Sequence, residues 1–242
     1  MDSEDASGFR PLYRQVGDAL RARIARGEWQ PGAALPAEPE LAAAMGVSHG
    51  TVRKALDALE GENLVIRRQG RGTFVARHDD ARVLFQFYRI TPDAGEQRFP
   101  DSRVLDVRRA GADGMAAEKL GLEPGDAVLI VERVRFIAAG ETPRIAERIT
   151  LPRDRFPGLG DEALPNNLYA LYAERYGVAI ARAAERLKAV AAGPREAGLL
   201  GVAPGSPLLQ VDRTAYALDG HPAEWRVSLC ATAELHYQSD LG

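Results

Sequence analysis

Residues 35–75 read LPAEPELAAAMGVSHGTVRKALDALEGENLVIRRQGRGTFV. Glu38 to Met45 is predicted to be a short helix: Pro39 falls in its first turn, where an N–H would be unpaired anyway, and Gly46 closes it. Ser48 suits the N-cap of a further helix, Ser48 to Glu60, with Val52, Leu56 and Leu59 as its inward stripe. The tight turn Met45-Gly46-Val47 joins the two helices. Leu64-Val65-Ile66 and Thr73-Phe74-Val75 are β-prone runs on either side of the glycine-bearing turn in Arg67-Arg68-Gln69-Gly70-Arg71-Gly72, which predicts a basic hairpin. The Gly-x-Gly is no phosphate loop, because no Lys-Ser/Thr follows and no helix begins there. Helix, turn, helix and basic hairpin together describe a winged helix-turn-helix.

Upstream, Pro11 to Gly27 places Leu12, Val16, Leu20 and Ile24 at four-residue spacing, an amphipathic helix that completes the module. The whole chain of 242 residues has a net charge of −3, which argues against nucleic acid until the charge is mapped. Residues 9–78 carry a net +4 and residues 79–242 a net −4, as expected for a DNA-binding half joined to a half with another task. No run reaches the length of a membrane span, and the acidic start Met1-Asp2-Ser3-Glu4-Asp5 is unlike a signal peptide, so the cytoplasm is the expected compartment. The single Cys230 cannot form an internal disulfide. His49, His78, His221 and His236 fall in no zinc spacing, so neither metal nor cofactor is expected.

The remaining chain contains an internal repeat. LGLEPGDAVLIVERVRFIAAG (120–140) aligns without gaps with LGVAPGSPLLQVDRTAYALDG (200–220), eight of 21 positions being identical, Arg133 and Arg213 among them. Each copy reads as a helix end, a Pro-Gly turn, a strand, a glycine turn and a returning strand. With a helix from Asn167 to Tyr176 and a strand from Val178 to Ala191, this predicts an antiparallel sheet in an α+β domain. The expected division is 9–77 for the winged helix, 78–82 for a linker and 83–242 for the second domain.

Pro31-Gly32, Leu35-Pro36, Glu40-Leu41-Ala42, Val47-Ser48, Thr51-Val52-Arg53, Ala55-Leu56 and Gly70-Arg71-Gly72-Thr73-Phe74-Val75 give residues 11–77 the pattern of the GntR family of bacterial regulators, which this segment resembles. Family members usually carry Arg at the positions of Pro39 and His49, Ser or Thr at Gly50 and Ser at Ala37. The resemblance implies that those arginines touch DNA, so an atypical operator is expected. The second half, with FYR (87–89), ERVR (132–135), GETPRIAER (140–148), NLYALYAERYGV (167–178), LLGV (199–202) and GHPAE (220–224), resembles the UTRA domain of the HutC branch, whose fold is similar to chorismate lyase.

The resemblance implies a homodimer on a pseudo-palindromic double-stranded operator. Ser48, His49, Gly50, Thr51 and Arg53 of the third helix and Arg67, Arg68, Gln69, Gly70 and Arg71 of the wing are the candidate contacts, the wing arginines on phosphates. It also implies a small-molecule effector in the second domain, for which Tyr88, Arg89, Arg133, Arg135, Glu147, Tyr169 and Glu224 are candidates. Arg133 recurs as Arg213, which suits a structural pairing with Glu132 or Asp212. Arg135 is replaced by Ala215 in the second copy, so the repeat does not require it, and its guanidinium fork suits a carboxylate or phosphate. The competing reading of Arg135 is surface charge, and that of Tyr169, with Tyr172 and Tyr176, is a packing stripe. Arg89 is expected as a cation within an aromatic strand, Phe85 to Tyr88. Two other functions are compatible with this fold: a lyase-like enzyme, against which no catalytic constellation is visible, and a constitutive DNA-binding dimer without effector.

Overall fold

The computed structural model describes residues 10–62, 64–76, 87–95, 99–137 and 142–239. The chain divides into two compact units, residues 1–77 and 78–242. The expected linker, 78–82, lies outside the described residues, as do Phe85 and Gln86.

In the first unit, α1 (Leu12–Ala25) packs Val16, Leu20 and Ile24 into a core shared with α2 (Glu38–Met45) and α3 (His49–Gly61). Leu12 is 47% exposed: the first turn projects past that core, so the apolar stripe is one turn shorter than its spacing suggests. Ala37 cannot cap α2 with its side chain, but Glu40 reaches back to accept from the Ala37 N–H at 3.0 Å. Gly46 ends α2 at φ +64°, a conformation that favours glycine. Two residues later the Ser48 hydroxyl accepts from the Thr51 N–H at 3.2 Å and starts α3. Val52, Ala55, Leu56 and Leu59 then face inward with almost no exposure. The hairpin follows as β1 (Val65–Arg68) and β2 (Gly72–Val75), in register Val65 to Val75 and Arg68 to Gly72. Residues 32–35 run along β2, with the Leu35 N–H donating to the Thr73 carbonyl at 2.8 Å.

The second unit is built on a six-stranded antiparallel sheet of order β4-β5-β6-β9-β8-β7. Its strands are β4 (Asp101–Gly111), β5 (Ala127–Phe136), β6 (Ile145–Pro152), β7 (Ile180–Ala191), β8 (Pro207–Ala217) and β9 (Pro222–Cys230). A separate pair, β3 (Ile90–Pro92) with β10 (Leu235–Tyr237), lies outside the sheet. The repeat extends beyond the aligned 21 residues. Strand, helix, strand, strand occurs twice, as β4, α4 (Gly114–Leu120), β5, β6 and as β7, α6 (Pro194–Leu200), β8, β9, with β6 pairing β9 at the centre. The turns match in detail. Ala112 donates to Asp126 and Gly125 to Ala112, both at 2.8 Å; Ala192 donates to Ser206 and Gly205 to Ala192 at the same distance.

Alternation along the strands gives the sheet two different faces. Towards α4 and α6 it presents Val128, Ile130, Leu208 and Leu229, packed on alanines and leucines of the two helices. Towards α5 (Leu168–Tyr176) it presents Leu129, Val131, Ile149, Leu151 and Ala215, packed on Phe156, Tyr169 and Tyr172. Beside that core, the same face carries the buried arginines and glutamates. No helix among the described residues is long and apolar enough to cross a membrane.

Candidate functional sites

Ser48, His49, Gly50 and Arg53 are exposed on the first turns of α3, with Thr51 half-buried between them. On the hairpin, Arg68, Gln69, Gly70 and Arg71 are exposed, and the Arg68 guanidinium lies 5.0 Å over the Phe74 ring. Both groups thus present donors and cations to solvent from one small module. Arg67 differs: its guanidinium turns toward α3 and meets Asp57, Glu60 and Glu38.

In the second unit the structure brings Arg133, Arg135, Glu147, Tyr169 and Glu224 together in one cluster, with the rings of Tyr88 and Phe99 over Arg135. Arg133 donates from Nε to Glu147 at 2.6 Å and from Nη1 to the Asn166 carbonyl at 3.2 Å. The expected pairing with Glu132 fails because neighbours on a strand face opposite ways: Glu132 points to the other face, where Arg148 and Arg195 bind it. Arg213 likewise pairs with Glu185 at 2.6 Å, while Asp212 takes Lys119 at 2.7 Å on the opposite face.

Arg135 is 1% exposed, which rules out the surface-charge reading. Its Nη2 donates to the Pro100 carbonyl at 3.1 Å, Nη1 lies 3.8 Å from Glu147, and the guanidinium sits 4.6 Å over Phe99 and 5.3 Å over Tyr88. Its Nε has no partner among the described residues, and neither has the Asn166 Oδ1. Burial pulls the Arg135 guanidinium down to about 9, against the attraction of Glu147. Burial would raise the Glu147 carboxyl, but Arg133, Arg226 and Arg135 outweigh it and hold the group well below the usual carboxylate range.

Tyr169 does pack, edge-on to Phe87 at 5.5 Å, yet its hydroxyl also donates to Glu224 at 3.0 Å, and Tyr172 donates to the other oxygen at 2.9 Å. Burial raises the Tyr169 phenol to about 12, and Glu224 adds to the effect. Arg89 is no part of an aromatic strand. Tyr88 and Arg89 precede β3, and Arg89 is half-buried at the rim of the adjoining space lined by Glu147, Cys230 and Tyr237.

Arg226 was not anticipated, although it completes the cluster: its fork grips Glu224 at 2.9 and 2.8 Å, and Nη1 reaches Glu147 at 3.4 Å. Ser228 also donates to Glu147, at 3.2 Å. Both continue the two-residue alternation from Glu224, a signal present in the sequence. Asn166 and Phe99 come from connecting segments, where no periodicity marks them. Among the described residues, four buried guanidiniums, of Arg133, Arg135, Arg213 and Arg226, therefore face three carboxylates, of Glu147, Glu185 and Glu224. Arg133, Arg135, Arg213 and Arg226 line a cleft there together with Phe87, Tyr88, Phe99, Asn166 and Tyr169.

Residues 12–75 match the bacterial regulatory proteins of the gntR family, and residues 95–236 match the UTRA domain. The chain is 33% identical over 212 residues to the HTH-type transcriptional repressor NagR of Bacillus subtilis, covering 87% of this chain and 86% of that one. It is 31% identical over 224 residues to the mannosyl-D-glycerate transport/metabolism system repressor MngR of Escherichia coli, covering 90% of each. The crystal structure of PhnF from Mycobacterium smegmatis superposes with a TM-score of 0.56 at 27% identity, covering 93% of this chain and 98% of that one. These relatives are transcriptional regulators, and the lyase-like enzyme reading gives way to a ligand-responsive, DNA-binding regulator of transcription. The chain belongs to the GntR family, in the HutC branch that joins a winged helix-turn-helix to a UTRA domain.

Proposed function

We propose that this chain is a homodimeric repressor whose effector is a small carboxylate- or phosphate-bearing metabolite bound at the arginine cluster of the second unit. The observation that carries the reading is the charge balance there: among the described residues one guanidinium is in excess, and the Arg135 Nε is buried without an acceptor. A buried cation without its own anion is costly, and an effector oxyanion would relieve that cost. Arg133 and Tyr169 line the cleft beside Arg135, Glu147 and Glu224 hold those two side chains in place, Tyr88 and Phe99 lie over Arg135, and Arg89 lines the adjoining space with Glu147. Tyr88 and Phe99 lie over the Arg135 guanidinium, so a metabolite that engages it would shift those rings, and that would link binding to a change of conformation. One relative is named for the mannosyl-D-glycerate system, a carboxylate-bearing compound.

In this reading two copies of α3 and the wing read a pseudo-palindrome, with Ser48, His49, Gly50, Thr51 and Arg53 at base edges and Arg68, Gln69, Gly70 and Arg71 along the backbone. A tenfold change in operator occupancy requires the effector to prefer one arrangement by about 1.4 kcal/mol. The test is a thermal-shift panel of sugar phosphates, organic acids and amino-acid catabolites, followed by calorimetry on the hit. A charge-assisted contact contributes about 1.5–3 kcal/mol, so Arg135→Ala weakens effector binding roughly 10- to 150-fold. An uncharged effector, or equal binding to both proteins, overturns the assignment.

A further inference from the structure

Arg67 and Arg68 are consecutive residues of β1, and strand alternation sends their side chains to opposite sides. Arg68 goes to solvent and lies over Phe74. Arg67 goes to α3. Its Nη1 bonds the Asp57 carboxylate and lies 3.6 Å from Glu60, while Nη2 donates to the Arg53 carbonyl at 3.3 Å and lies 3.5 Å from Glu38. The Arg67 N–H also donates to Glu60, at 3.3 Å. Residues 53, 57 and 60 share one face of α3, so a single side chain ties β1 to two turns of that helix and to the start of α2. Glu38 joins the same knot from the other side, accepting from the Arg53 Nε at 3.2 Å.

We propose that Arg67 is a positioning residue that sets the wing against the third helix and does not itself contact DNA, with Glu38 extending the same knot to Arg53. Three carboxylates surround the Arg67 guanidinium. A phosphate approaching it would meet Asp57, whose side chain is 52% exposed, and pulling Arg67 away would take it from all three carboxylates, Glu38, Asp57 and Glu60. The fork geometry is also used up on protein acceptors, whereas Arg68 and Arg71 remain exposed. The module thus divides its basic residues between holding its own geometry and holding the nucleic acid.

The two roles predict opposite outcomes. The probes are a duplex recovered by in-vitro selection with the full-length protein and a mixed-sequence duplex of equal length. For a positioning Arg67, Arg67→Ala lowers the preference for the selected duplex over the mixed one about tenfold. It leaves mixed-sequence binding within about twofold, and the slope of log affinity against log salt stays unchanged. Asp57→Asn weakens selected-duplex binding in the same direction, and the double variant is no worse than the weaker single one. Arg67→Lys, which keeps the charge and loses the fork, behaves like Arg67→Ala. A phosphate contact instead gives a salt slope flatter by about 1 in Arg67→Ala, near-normal binding in Arg67→Lys and tighter binding in Asp57→Asn. Any of those three results overturns the proposal. So does a lowered melting temperature in Arg67→Ala with the preference for the selected duplex intact, which would leave Arg67 a fold-stabilising residue only.

Discussion

Replacing Glu147 with Gln tests the buried cluster without an effector in hand. The carboxylate has a side-chain exposure of 5% and accepts from Arg133 at 2.6 Å, Ser228 at 3.2 Å and Arg226 at 3.4 Å, with Arg135 at 3.8 Å. Glutamine keeps the shape and one acceptor, removes the negative charge, and turns an amide N–H₂ toward guanidiniums that cannot accept. The imbalance at the site grows from one excess cation to two. Breaking a buried ion pair from one side costs about 3–5 kcal/mol, a third or more of the stability of a typical domain. A unit of this size loses roughly 2–4 °C per kcal/mol, so the melting temperature should fall by roughly 6–20 °C. Urea unfolding followed through Trp225, in a Trp29→Phe background, reports the second unit alone and should show a lower midpoint at unchanged m. The pH dependence fixes the cause. Glu147 is held below the ordinary carboxylate range, so the unfolded chain binds its proton first and the wild type gains stability as pH rises through that window. That contribution is complete above about pH 5 and fades toward more acid conditions. The deficit of Glu147→Gln should therefore shrink as pH falls from 5 to 3. A cost below about 1 kcal/mol, or a deficit that does not change with pH, would refute the charge argument.

Effector affinity should weaken toward alkaline pH in the wild type and not in Arg135→Ala, because burial pulls the Arg135 guanidinium down, as calorimetry at fixed salt would show; the same pH profile in both proteins would refute this. Arg53→Ala should cost about 1–3 kcal/mol of operator affinity and blur base preference, whereas Arg68→Ala should weaken all sequences alike and flatten the salt slope by about 1, both read by titration at several salt concentrations. Gly160→Ala should destabilise the second unit by about 1–3 kcal/mol in urea unfolding, because Gly160 has φ +91° and an added Cβ would stand 2.7 Å from Val107 Cγ1.

The winged helix was legible nearly residue by residue because each of its boundaries is carried by a local device: Gly46 after α2, the Ser48 cap before α3, the glycine turn of the hairpin. The repeat likewise disclosed β5 and β8 with their preceding turns. Strand β4 was not foreseen, since Asp101–Gly111 alternates irregularly around a register shift between Val104 and Asp106 and holds five charged residues on an edge. For the buried cluster, residue type could be read but partnership could not. Glu132 adjoins Arg133 in sequence, yet the partner is Glu147, fourteen positions on and directly across the β5–β6 ladder. Such pairings depend on strand register, which follows from the whole sheet rather than from any segment of it.

Register also explains where the excess charge resides. In the first copy Arg133 lies opposite Glu147 and Arg135 opposite Ile145; in the second, Arg213 lies opposite Arg226 and Ala215 opposite Glu224. Equivalent places thus hold Glu147 and Arg226, groups of opposite sign, which accounts for their contact across the central β6–β9 pair. The second copy balances itself, Arg226 with Glu224 and Arg213 with Glu185. In the first copy Glu147 must serve Arg133 at 2.6 Å, and it holds Arg135 only at 3.8 Å. The unanswered charge therefore sits at the one buried arginine whose counterpart is alanine. Retained Arg133 and Arg213 each anchor a neighbouring strand, so their presence follows from building the sheet twice. Arg135 does no comparable work for the sheet, and a buried cation that the described residues neutralise only through a shared carboxylate at 3.8 Å is the place where an incoming anion would gain most.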